Sequence, residues 1–160
     1  MILNRIAFIL SVLGLMVAAY LWNMHSHPQD IPCSLTGHGC LDVANSPYSR
    51  FPIGTGLPVA AYGTLGYAVM VVLSFLRTQP QVAKRDRQLL GLSLAFATLG
   101  LIASLYLTAM EKYKIHAWCQ WCLISQAIML VVFGLRVMEW LTWRGPLVPI
   151  EETKGATLPV

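Results

Sequence analysis

The residues able to do chemistry in this chain are four cysteines in two pairs. Cys119 and Cys122 stand at a C-x-x-C spacing in HAWCQWCLISQAIML, and Cys33 and Cys40 flank SLTGHG. A bridge between Cys119 and Cys122 would close a very small ring, constrain the unfolded chain little and make a poor staple. It would make a better redox couple. The i, i+3 spacing puts both sulfurs on one face of a helix, and a helix N-terminus offers N–H groups and partial positive charge that favour thiolate. Cys33 and Cys40 lie in a stretch loosened by Gly37 and Gly39, so their thiols can meet. Thiol–disulfide exchange can pass two electrons between such pairs through a mixed disulfide. Two structural disulfides are the plainer alternative. A soft-metal site is the other: Cys33, Cys40, Cys119 and Cys122, with His25, His27, His38 and His116 nearby, are ligand types for zinc or copper(I). Against it, C-x6-C is not a usual zinc spacing, and histidines in a polar loop are ordinarily solvated.

The elements that must hold these pairs are apolar helices. Of the 160 residues, 56% are hydrophobic and 11% charged, with a mean hydropathy of +0.61. That composition belongs to the membrane class. Four uncharged runs approach the roughly 20 residues needed to cross about 30 Å of hydrocarbon: 6–22, 57–76, 89–110 and 117–135. Backbone groups in lipid must be satisfied within the segment, so each run is a helix. The expected fold is an all-α integral membrane protein, a four-transmembrane-helix bundle, with the C-x-x-C opening the fourth helix. Residues 1–143 form the membrane domain and 144–160 a polar tail. Gly63, Gly66, Gly91 and Gly100 mark close helix packing. Arg5, a short apolar stretch, Val17 and Ala19 also fit a cleaved signal peptide. The continuation through Tyr20, Leu21 and Trp22 suits an aromatic-anchored helix better.

Lysine and arginine set the orientation. With both termini in the cytoplasm, Arg5, Arg77, Lys84, Arg85, Arg87, Arg136, Arg144 and Lys154 lie inside, and only Arg50, Lys112 and Lys114 outside. These anchors account for the net charge of +4 without any nucleic-acid partner. The segment 77–87 then reads as a basic topology anchor, and the chain from Arg136 onward as polar tail. The one long loop, 23–56, faces outside, where disulfides form, and caps the active site. Within it LDVANSPYSRF has the pattern of a short amphipathic surface helix. So Cys33 and Cys40 can meet a soluble protein, while Cys119 and Cys122 can meet a two-electron acceptor dissolved in the membrane, such as a quinone.

These residues resemble the vitamin K epoxide reductase family, in its short bacterial form without a fused thioredoxin domain. The resemblance covers roughly residues 6–135. It rests on Cys33 and Cys40 in the first outer loop, Ser46 six residues after Cys40, FPIGTGLPVAAYGTLGY entering the second span, and CQWC opening the fourth. DsbB-type quinone reductases carry the two pairs in the reverse order. The resemblance implies a thiol:quinone oxidoreductase of the bacterial inner membrane, its site facing the periplasm. It would reoxidise a DsbA-like thioredoxin-fold protein with a quinone of the ubiquinone or menaquinone (vitamin K) type, with vitamin K epoxide as a further candidate substrate. It also implies residue roles. Cys33 and Cys40 are the shuttle pair, Cys40 bonds transiently to Cys119, Cys122 faces the quinone, and Ser46 assists transfer. Gln126 stands where animal enzymes place a tyrosine near the quinone oxygen, and its other reading is a polar link between helices. Trp118 and Trp121 either wall the pocket or anchor at the interface.

Overall fold

The computed structural model describes residues 2–25, 33, 37 and 39–145. Four long helices form the body: α1 (Ile2–Met24), α3 (Val59–Leu76), α4 (Asp86–Met110) and α5 (Gln120–Leu141). Each is long and apolar enough to cross a membrane. The short α2 (Gly39–Asn45) and a two-stranded hairpin, β1 (Arg50–Phe51) and β2 (Leu57–Pro58), lie between α1 and α3. Around the bundle the order is α1, α3, α4, α5, with α5 returning to α1. This all-α, four-helix membrane architecture is the one expected.

The packing is inside-out relative to a water-soluble bundle. Large apolar side chains such as Ile9, Leu65, Phe75, Leu99, Ile102 and Leu130 point outward, while Ser11, Ser74, Ser93 and Asn4 are buried. Lipid solvates the outer residues, so cohesion comes from small residues and interhelical hydrogen bonds. On α1 the buried face is Asn4, Ala7, Ser11, Gly14 and Ala18, a stripe of period three to four. A Cβ on Gly14 would lie 2.2 Å from the Tyr67 ring. Glycine there lets α3 close on α1 and lets the Tyr67 hydroxyl donate to the Ser125 carbonyl of α5 at 2.8 Å. Gly100 likewise gives way to Met129, whereas nothing approaches Gly66.

The helices extend past the uncharged runs because polar residues at their ends find partners inside the bundle. At the Asn4 end, Arg77 Nε donates to Asp86 at 2.9 Å and its Nη1 to Glu139 at 2.9 Å. Arg136 donates to Glu139 at 2.5 Å, to Asn4 at 2.9 Å and to the Ser74 hydroxyl. Trp143 Nε1 caps Asp86 at 3.0 Å. Arg77, Asp86 and Arg136 are at most 2% exposed. Two readings change here. Segment 77–87 is more than a solvated basic anchor, since its first arginine and its aspartate are interior. The fourth helix does not end at 135 but continues through Arg136 and Glu139 to Leu141, because their charges are neutralised by each other and by Arg77 at the end of α3 rather than by water. Residues 146–160, most of the expected tail, lie outside the described residues.

The stretch LDVANSPYSRF is only partly helical. α2 stops at Asn45, since Pro47 cannot continue an α-helix and opens a 3-10 turn over Pro47–Ser49. Arg50 and Phe51 then pair antiparallel with Pro58 and Leu57. A Cβ on Gly56 would overlap the Phe51 carbonyl, so glycine lets this hairpin close.

Candidate functional site

At the end of the bundle opposite Asn4 a cavity of ≈ 410 Å³ opens among the four long helices. α3 and α4 line it mostly with apolar or small groups, including Met70, Phe96, Leu99 and Gly100. Its polar groups concentrate near the mouth: Cys40, Ser46, Thr108, Glu111, Cys119 and Cys122. A flat apolar ring with a few polar atoms fits such a wall.

The mouth is built by the connection from α4 to α5. Past Met110 the helix widens into one π-helical turn, Glu111–Ile115, and His116 takes a left-handed conformation at φ 55°. Glu111 organises this turn. Its carbonyl accepts from the His116 N–H and from Ala117 N at 3.2 Å. Its carboxylate accepts from Cys119 N at 3.1 Å. Cys119 is thereby fixed as the N-cap of α5, its sulfur accepting from the Cys122 N–H at 3.3 Å. A cysteine cap replaces the usual Ser, Thr or Asp and places a sulfur at the positive end of the helix dipole. The Cys122 thiol beside it holds the Cys119 thiol below its ordinary range, against the opposing effect of burial. Acceptor atoms of Glu111, Cys119 and Cys122 all lie within 4.8 Å of one another.

The loop pair comes down on this mouth from above. Cys33 and Cys40 form a disulfide with Cα atoms 6.0 Å apart. Cys40 opens α2 and is buried, as is Cys119. Gly39 makes that approach possible: a Cβ there would lie 2.3 Å from the Trp118 carbonyl oxygen. So α2 starts directly against the residue preceding Cys119. Ser46, at the far end of α2, donates its hydroxyl to the Val43 carbonyl at 2.8 Å and lines the cavity.

Cys40, Ser46, Cys119 and Cys122 thus share one cavity, and Cys33 is tied to it through Cys40. Gln126, Trp118 and Trp121 are not on its wall. The Gln126 amide oxygen accepts from the hydroxyl of Thr108, itself a lining residue, and so links α4 to α5. Trp118 is exposed on the outer surface, and Trp121 packs against Tyr20 with ring centroids 5.4 Å apart. Of the histidines weighed as metal ligands, His25 lines the cavity mouth, its imidazole held below the ordinary range by burial and then by Arg50. His116 is exposed, and His27 and His38 lie outside the described residues. The disulfide removes two of the four sulfurs from any metal set. Glu111, Gly39 and Tyr67 are the residues that sequence reasoning missed. Glu111 offered one signal, an acid directly at the end of an apolar run, and there a solvated end is the ordinary reading.

A comparison with curated proteins returned no match. The family model described as the vitamin K epoxide reductase family matches residues 5–137, which takes in α3, α4, most of α1 and α5, and both cysteine pairs. A four-helix membrane bundle with one cysteine pair bridged above another left open is a redox arrangement, and the chain, a multi-pass membrane oxidoreductase, belongs to the vitamin K epoxide reductase family.

Proposed function

We propose that this protein moves electrons from a soluble thioredoxin-fold dithiol, of the DsbA-like kind, through Cys33 and Cys40 to Cys119 and Cys122, and on to a membrane quinone. The observation that carries the reading is the stacking of a closed loop pair, Cys33–Cys40, over an open pair, Cys119 and Cys122, at an apolar cavity. In this scheme the partner's dithiol reduces Cys33–Cys40 and leaves as a disulfide. The Cys40 thiolate then attacks Cys119 in a Cys119–Cys122 disulfide and releases Cys122. Cys33 attacks Cys40, which restores the loop disulfide and expels Cys119. A sulfur held below the ordinary thiol range is a good leaving group, and Cys119 is so placed. The result is the arrangement described above, with two electrons stored on the inner pair. A quinone as second substrate takes up two electrons and two protons. Apolar groups such as Phe96, Leu99 and Met129 would hold its ring, with Cys122 the sulfur deeper along α5. Vitamin K epoxide is a further candidate at the same cavity.

In this reading the cysteine end faces the periplasm of a bacterial inner membrane, as the Lys/Arg distribution favours, with 1–143 as the catalytic unit. Ser46 holds the end of α2 and so the pose of Cys40. Gln126 acts through Thr108, and Trp118 anchors at the interface.

The test is reduction of a short-chain quinone by the purified protein with a reduced thioredoxin-fold protein as donor, followed by the loss of quinone absorbance. Turnover that disappears in Cys119→Ala and in Cys122→Ala supports the reading. Equal rates in those variants refute it. The metal-handling reading draws on the clustering of Glu111, Cys119 and Cys122. It predicts stoichiometric zinc or copper in purified protein and no quinone turnover.

A further inference from the structure

Glu111 is buried, 2% exposed, at the cavity mouth, and among the described residues no cation pairs with it. A carboxylate in such a place is expensive to bury unless donors satisfy it. Its donors belong to the redox centre: the Cys119 N–H at 3.1 Å and the Cys122 thiol that faces it. Oxidising a dithiol releases two protons as well as two electrons. One sulfur, Cys119, is placed to lose its proton readily, by the cap and by the neighbouring thiol. The other, Cys122, lies partly exposed on a cavity wall made mostly of apolar and small groups. A proton leaving Cys122 within the cavity needs an acceptor, and the Glu111 carboxylate lies within 4.8 Å of it.

We infer that Glu111 is the proton acceptor of the Cys122 thiol during oxidation of the inner pair, and that through its bond to the Cys119 N–H it also sets the two sulfurs for that step. The inference rests on the redox reading of the cavity. The step balances as follows. Cys119 enters as thiolate and Cys122 as thiol. The Cys122 proton passes to Glu111 as the S–S bond forms, and the pair of electrons leaves to the quinone class of acceptor. Glu111, then a carboxylic acid, returns that proton to the reduced acceptor, whose second proton comes from water. Glu111 ends as the carboxylate it began as.

Other titratable groups flank the site without replacing it. Lys112, Tyr113 and Lys114 on the same turn are exposed, and so is His116 after it. Asp42 on α2 is exposed, and Cys40 is held in the disulfide. His25, Tyr48, Tyr62 and Tyr67 line the cavity from α1, the loop and α3.

The test needs no quinone. In reduced protein, the alkylation rate of Cys122 by a small apolar maleimide is measured by mass spectrometry across the pH range. A proton shared between Cys122 and Glu111 gives a reactive thiolate–carboxylic acid form whose fraction does not change with pH while the pair holds one proton. The wild-type rate should therefore be nearly flat around neutrality. Glu111→Gln keeps an oxygen for the Cys119 N–H but cannot take a proton. Its rate should rise about tenfold per pH unit throughout and coincide with wild type at the acid end, where the wild-type carboxyl is protonated too. Beyond that point it should climb above the wild-type plateau by about tenfold for each pH unit, since the amide is neutral and holds no share of the proton. Glu111→Asp should restore the flat profile at reduced height. Parallel profiles for wild type and Glu111→Gln overturn the inference, as does a uniform loss at every pH, which is what a purely structural role would give. Failure of wild type to reduce quinone would instead count against the function reading, so the two failures are separable.

Discussion

At the Asn4 end of the bundle, Arg77, Arg136, Asp86 and Glu139 bury two cations with two anions. At the cysteine end, Glu111 is buried with no cation against it among the described residues, beside two thiols and a cavity. The first end is neutral and closed by hydrogen bonds from every long helix or its flank. The second is left electrostatically unfinished, and its donors are the groups that must change protonation and bonding state. The contrast separates two uses of buried charge in one small bundle. Compensated charge fixes where helices end and how they pack, whereas a carboxylate facing thiols is free to take a proton. Perturbed ionisable groups gather at functional sites, and the Glu111 cluster lines a cavity.

The largest expected effects come from cutting the cysteine relay. Cys33→Ala or Cys40→Ala should reduce oxidation of a protein dithiol to background, measured as quinone loss, while a small dithiol that reaches Cys119 directly still drives turnover. Equal loss of both activities would show that the pairs do not act in series. Next is the opposite end. Arg136→Ala removes one of the two buried cations, leaving Asp86 and Glu139 with Arg77 alone, and should cost about 3–5 kcal/mol, the range for breaking a buried pair. The readout is thermal unfolding in detergent. Replacing Arg136 and Glu139 together by Met should recover much of that loss, since whole buried pairs are often replaceable by apolar groups. If the single variant is as stable as wild type, that end is not the compensated cluster described here.

A smaller effect should follow from Gly39→Ala, whose Cβ would meet the Trp118 carbonyl. The expected result is about a tenfold loss, or ~1.4 kcal/mol, in oxidation of a protein substrate, with small-dithiol turnover unchanged. Unchanged protein oxidation would mean that α2 need not sit this close to Cys119. The smallest effect is a titration. With its thiol held below the ordinary range by Cys122, Cys119 should stay reactive toward iodoacetamide at lower pH than a free thiol, and its reactivity should fall as pH drops through that lowered value. Cys122→Ala removes the donor, so the midpoint should move upward. A midpoint that stays put, or moves down, would locate the cause elsewhere.

The spans and both cysteine pairs were legible because they are local signals: uncharged runs of membrane length, and a spacing of three on a helix. The interior of the Asn4 end was not legible. Arg77 stands 62 residues from Glu139, and each charged residue alone reads as a solvated flank. Only packing shows that they neutralise one another, and so α5 ran past the point where its apolar run seemed to stop. Glu111 escaped for a related reason. Its partners are a backbone N–H eight residues on and a thiol beyond it, and the π turn that aims it has no composition signature. Gln126 left two readings open, a place near the cavity or a polar link between helices, and the structure shows its amide oxygen accepting from Thr108 of the neighbouring helix.

In the proposed scheme one sulfur, Cys119, serves two partners in turn: Cys40 of the loop pair, which lines the same cavity, and Cys122 one turn along α5. Sulfur forms a single S–S bond, so the two engagements exclude each other in time. Under the proposed scheme electron pairs therefore cross in single file. The donor must finish and leave before the acceptor is served, and no ternary complex of donor, protein and acceptor is needed. Steady-state turnover should then show parallel lines in double-reciprocal plots as donor and quinone are varied, the pattern of a ping-pong enzyme. Speed would be limited by whichever half-reaction is slower, and strengthening the faster one would bring no gain.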